Sequence, residues 1–188
     1  MRYYNITQEK EKYYTISSPG RHVFFFRNRT GFLSFTIKKE DAEVYIFGVF
    51  DGRGTDRFAL TTVQKHVVPR AQSTLLIKSI VRDDARFHYR GLITIEKKAK
   101  KTEAHLTNNN LILSNKSFVD TKPQLEILPD EVVCTHAVTT GRLDDEQLYY
   151  LRSRGASKKT AEKFLTDGFM RSLFDEMVTL GAQKERRD

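Results

Sequence analysis

Residues 73–95 read STLLIKSIVRDDARFHYRGLITI, and the order of residue types in them decides the fold class. Two runs rich in Leu, Ile, Val, Phe, Tyr and Thr, 73–81 and 87–95, flank a charged break at Arg82, Asp83, Asp84 and Arg86. β-Branched and aromatic residues suit a pleated surface and a charged break punctuates it, so each run reads as a short strand. The pattern extends upstream through HVFFF (22–26), GFLSFTI (31–37), VYIFGVF (44–50) and FALTTV (58–63). Downstream it continues through LILS (111–114), FVDTKPQLEIL (118–128) and EVVCTHAVT (131–139). No amphipathic helix of useful length interrupts these runs. That argues against a doubly wound α/β fold and for an all-β core.

Within the runs Ile46, Thr61, Ile77, Ile93, Leu111 and Ile127 recur at intervals of about 16 residues, which suggests coils stacked in a solenoid. A sandwich of antiparallel strands fits the same pattern and is the commoner architecture. Asn108, Asn109 and Asn110 suit either, as a turn or as amides stacked inward between coils.

Composition changes at Gly141. Asp144 has the position of an N-cap, with Gln147 three residues on and Leu143 and Leu148 placed as a hydrophobic staple. Arg152 and Arg154 suit the last turn, and Gly155 a left-handed cap. Ser157 caps a second helical stretch carrying Ala161, Phe164 and Leu165, and Phe169, Leu173, Phe174, Met177 and Val178 continue it beyond Gly168. The chain divides into a β core, 1–142, and a helical segment, 143–188, whose polar tail beyond Gly181 is expected to fray.

The 188 residues carry 32 basic and 24 acidic side chains, a formal charge of +8. Such an excess suits an anionic partner, yet the basic residues fall in short runs such as Lys97, Lys98, Lys100 and Lys101, the pattern of solvated loops. One cysteine rules out an intrachain disulfide and a zinc or cluster site with all four ligands from this chain's cysteines. No apolar run suits a signal peptide or a membrane span, so the expected compartment is the cytoplasm. Phosphate-loop and GxGxxG signatures are absent, which argues against nucleotide binding by this chain, and so are GxSxG and HExxH.

Cys134-Thr135-His136 is the one constellation with metal-ligand chemistry. Residues i and i+2 of a strand share a face, so thiol and imidazole could meet one metal. Two donors make half a site, and on its own such a pair is more often a small core cysteine beside a hydrogen-bonded histidine. His105, Asp130 and Glu131 are further donors within reach in sequence. His22, His66 and His88 read as ordinary strand residues, and Asp83-Asp84 and Asp144-Asp145 as turn and cap carboxylates. Tyr3, Tyr4, Tyr13 and Tyr14 with Lys10 and Lys12 read as an N-terminal edge or arm.

The blocks KTEAHLTNNNL (101–111), DTKPQLEI (120–127), CTHAVTTGRLD (134–144) and LYYLRSRG (148–155), with Gly168-Phe169 beyond them, resemble the C-terminal half of the SufB/SufD family of SUF iron-sulfur cluster assembly scaffolds. Weaker similarity reaches back to about residue 45. The resemblance implies a right-handed parallel β-helix followed by a small helical part, and displaces the sandwich reading. It implies that the core pairs with a SufB-like subunit or a second copy, and that the helices hold a SufC-like ABC ATPase. A cysteine ligand of SufB aligns with Asn109, so the chain is SufD-like there. The SufD histidine aligns with His136, beside Cys134, with Ala137 where the family has glycine. Too few residues precede the match for the family's long N-terminal region, so the chain is expected to be truncated there.

These implications describe a non-enzymatic scaffold. His136, with Cys134 beside it, would serve a transient iron-sulfur cluster shared with a partner, and Leu148, Leu151, Phe164, Phe169 and Phe174 would serve docking. The alternatives from other classes are a basic module for nucleic acid or an anionic surface, and a purely structural homodimeric β-helix.

Overall fold

The computed structural model of the chain describes residues 1–182. The end of the helical segment, with Lys184, Arg186, Arg187 and most of the polar tail, lies outside the described residues. Eleven strands and two helices are found among those described: β1 (Arg2–Asn5), β2 (Tyr13–Ile16), β3 (Gly20–Arg27), β4 (Gly31–Ile37), β5 (Ala42–Gly52), β6 (Arg57–His66), β7 (Gln72–Val81), β8 (Arg86–Ile95), β9 (Thr102–Ile112), β10 (Phe118–Ile127), β11 (Val132–Arg142), α1 (Asp145–Ser153) and α2 (Lys158–Thr179).

Successive strands alternate between two sheets. The odd strands form one sheet in the order β1-β3-β5-β7-β9-β11, the even strands a second in the order β10-β8-β6-β4-β2, and every pairing is parallel. This is a parallel β-solenoid, in which each coil contributes one strand to each sheet. Val44, Ser73, Ala104 and Cys134 stack in register, so a coil takes roughly thirty residues. The shorter interval read from the sequence is therefore the step from one sheet to the other, and its anchors mark six successive strands. They do not form one interior column. Ile46, Ile77 and Ile93 are buried, but Ile127 is exposed and Thr61 is only half-buried.

The interior is aromatic at one end and partly amide at the other. Phe24, Phe35, Phe50 and Phe87 fill the interior from β3 to β8. Tyr89 lies fully buried, its Oη 2.7 Å from Thr62 Oγ1. Gly91 makes room for it: a Cβ there would sit 2.6 Å from Tyr89 Oη and 2.5 Å from Leu106 Cδ1. Asn108 and Asn110 point inward and bond each other, while Ser79 Oγ donates to Asn110 Oδ1 at 2.6 Å and Asn110 Nδ2 donates to the Thr139 carbonyl. The amides thus tie the coils of β7, β9 and β11 together. Asn109 faces outward, where its Oδ1 accepts from Thr139 Oγ1.

Both helices begin where the caps place them. Asp144 accepts from the backbone N–H groups of Glu146 and Gln147, and Ser157 Oγ accepts from that of Thr160. Gly155, at φ 91°, turns the chain between the helices. The second helix runs unbroken through Gly168. Its apolar side, Leu173 and Met177, lies on the outer face of the odd-strand sheet against Val23, Phe25, Phe47, Val49 and Leu76. This explains why His22 to Phe26 are all buried: one face of β3 looks into the solenoid and the other lies under α2. Lys78, 6% exposed, donates to the Phe169 carbonyl at 2.6 Å and to Ser172 Oγ. Burial lowers its pKa and raises that of nearby Glu176. Among the described residues no helix is long and apolar enough to cross a membrane.

Candidate functional site

The odd-strand sheet ends at β11, which pairs with β9 on one side only. Cys134 lies in register with Ala104 and His136 with Leu106, both of which are buried and look into the solenoid. Thiol and imidazole therefore belong to the same inward column, two residues apart on an edge strand. The column is closed over Leu106, which is 1% exposed, and open at His136, which is exposed. Cys134 is half-buried against the core, and burial pushes its thiol pKa upward. A metal-bound thiol must lose its proton, so this setting opposes ligation by Cys134 more than an open position would. Strand β11 runs unbroken through Ala137, so alanine fits the extended backbone there.

The other candidate donors do not join this pair. His105 is on the opposite face of the sheet, its Nδ1 2.7 Å from Thr135 Oγ1. Glu131 is engaged by Lys100 at 3.0 Å, which holds its carboxyl below the usual range. Asp130 is exposed in the turn before β11. Among the described residues no group of three or more His, Cys, Asp or Glu converges to hold a metal. Cys134 and His136 thus stand as two donors on one face of an edge strand. Of the remaining histidines, His22 and His66 are buried in the solenoid, and His88 stands on the outer face of the even-strand sheet with Asp120 3.5 Å away.

The five helical candidates separate by what they touch. Phe174 packs on Phe25 with ring centroids 6.1 Å apart, and the Phe169 ring carries the Lys78 ammonium 4.6 Å from its centre. Both are half-buried and hold α2 to the sheet. Leu148 and Leu151 are half-buried on α1, and Phe164 is 69% exposed. Leu151 and Phe164, with Tyr150 and Leu165, line a groove of about 540 Å³ between the helices. It adjoins a second cavity of about 400 Å³ floored by Leu111, Leu143 and Phe169. Tyr149 and Tyr150 are exposed on α1, where Tyr150 lines the groove, and the sequence marks them only as part of the LYYLRSRG block. Their signal was the placement of three large side chains at 149–151 on a helix of nine residues, none of which is buried.

Comparison with known proteins bears on the whole site. Residues 28–169 match the family model described as the SufBD core domain of SUF system FeS cluster assembly, so similarity begins before residue 45 and includes β11 and about half of α2. SufD of Escherichia coli (strain K12) is 42% identical over 113 residues, 60% of this chain and 27% of that protein. SufD of Bacillus subtilis (strain 168) is 34% identical over 157 residues, 80% of this chain and 36% of that protein. SufB of the same organism is 34% identical over 112 residues, 60% of this chain and 24% of that protein. The aligned region thus spans between about a quarter and about a third of these relatives. With the parallel solenoid and a family match across three quarters of its length, the chain belongs to the SufBD family.

Proposed function

We propose that the chain is a non-catalytic scaffold subunit that offers His136 to an iron-sulfur cluster shared with a second subunit, either SufB-like or another copy of itself. The observation that carries this reading is the exposed imidazole on an edge strand, in a column whose earlier members are buried. A neutral imidazole binds iron through one ring nitrogen and needs no nearby charge. The cluster is cargo that passes through the interface, and Cys134 supports the same face from a half-buried position. Strand β11 presents unpaired backbone groups beside His136, so the partner can approach along the strand edge.

The two parts of the chain have separate tasks in this reading. The solenoid, 1–142, presents the cluster edge, and the helical segment, 143–188, docks a SufC-like ABC ATPase. Leu151 and Phe164 supply the apolar contact from the groove between α1 and α2, Leu148 adds to it from its half-buried place on α1, and Phe169 and Phe174 secure the helix that carries it. Arg21, Arg57, Arg70 and Arg90 each pair with a carboxylate, so these four arginines are not free for a nucleic-acid backbone.

The test is co-expression of the full chain with a SufC-like ATPase and a SufB-like subunit from the same organism, followed by affinity capture. The ATPase is expected to co-purify with the wild type and to be lost from the Leu151→Ala/Phe164→Ala double variant. Tyr13→Ala, at an exposed position on the first coil, is expected to retain it. Wild-type chain that captures no ATPase, or equal capture by the wild type and the double variant, contradicts the docking assignment.

A further inference from the structure

Strands β3, β5 and β7 exit the odd-strand sheet side by side, and each exit carries an arginine: Arg27, Arg53 and Arg82. The N-terminal half of α2 passes over these exits and leaves a cleft of about 400 Å³ into which Lys159 and Lys163 also open. This cleft lies outside both the His136 edge and the groove between the helices.

The charges in the cleft do not cancel. Asp51 is engaged by Arg53 at 2.7 Å and by Arg82 at 3.0 Å. Asp167 faces Lys163 at 3.6 Å, and Glu162 faces Lys158 at 3.8 Å. With these three carboxylates assigned, the Arg27 guanidinium and the Lys159 ammonium have no acidic partner among the described residues. The Nε of Arg82 is buried without a hydrogen-bond partner. The α2 N-terminus adds positive potential close to Lys159. The remaining wall is mostly apolar, formed by Val49, Ile80, Leu113, Met170 and Phe174 with Thr166.

We infer that this cleft binds a small organic phosphate, a dianionic head joined to an apolar body. Two uncompensated cations match a dianion, and a guanidinium can bond two phosphate oxygens at once. The cavity is of a size to take a small organic molecule, and its apolar wall gives a bare ion nothing to gain.

Titration calorimetry on the full chain tests this with three probes: naphthyl phosphate, inorganic phosphate and naphthol. Naphthyl phosphate is expected to bind saturably, about 10-fold or more tighter than either of the others, with affinity that falls as salt is raised. The Arg27→Gln/Lys159→Gln double variant is expected to weaken it by about 10-fold or more, and since neither side chain has a partner to lose, thermal melts should show the fold intact. Lys97→Gln/Lys98→Gln removes equal charge at a distant turn and is expected to leave affinity unchanged. The inference is overturned by absence of saturable binding, by inorganic phosphate or naphthol binding as tightly, or by equal weakening in both double variants.

Discussion

Acidification from about pH 7 to pH 5 is expected to cost the fold about 2 kcal/mol through one buried ring, His66. Its side chain is fully buried, with Nε2 2.8 Å from Ser73 Oγ and Nδ1 without a partner. Ser73 Oγ already accepts from Gln64 Nε2 at 2.7 Å, so its own proton can point at His66 Nε2, a bond that only the neutral ring accepts. Burial pushes the pKa of His66 down to about 4 from 6.5. The unfolded chain therefore takes up this proton first. Stability is complete above the unfolded value, declines as pH falls from about 6.5 to about 4, and is then lower by roughly 3 kcal/mol. His22, whose pKa is also lowered by burial, acts in the same direction. Urea unfolding followed by circular dichroism at pH 7, 6 and 5 measures the effect, with His66→Gln as the comparison. The wild type should lose about 2 kcal/mol across this interval and the variant most of that slope. A flat wild-type profile, or an equal slope in both proteins, would refute the reasoning.

Gly91→Ala should destabilise by about 1–3 kcal/mol in denaturant unfolding, because the added methyl meets the buried Tyr89 and Leu106 side chains. Leu173→Ala should cost about 2–5 kcal/mol, and hydrogen exchange should show α2 losing protection before the solenoid does, since this fully buried leucine holds the helix to the sheet. Asn110→Ala should cost about 1–3 kcal/mol by leaving buried groups of Ser79 and Asn108 unpaired, with exchange fastest in β11.

The strand runs at 73–81 and 87–95 were legible because nearly all their apolar residues are buried, Leu92 excepted, although Ser73, Lys78 and Ser79 are buried beside them. The strand β9 was only partly so: it begins at Thr102, well before the LILS run, and its interior positions include Thr102, Asn108 and Asn110. A polar residue satisfied by a neighbouring coil looks, in one dimension, like a turn. Asp144 and Ser157 were legible as caps because capping is local, acting within three residues. The seat of α2 was not, since it depends on side chains far apart in sequence, such as Lys78 and Phe169, meeting across the sheet. Period two places Cys134 and His136 on one face, but only the sheet order shows that this face belongs to an edge strand.

The central claim is that His136 completes a cluster which neither subunit holds alone. Anaerobic reconstitution with iron and sulfide, on the co-purified pair and on this chain by itself, followed by optical and Mössbauer spectroscopy, addresses it most directly. The account predicts a cluster in the pair that is lost or spectroscopically altered in His136→Ala and largely kept in Cys134→Ala. A pair carrying His136→Ala that loads the same cluster, to the same extent and with the same spectrum, would contradict it.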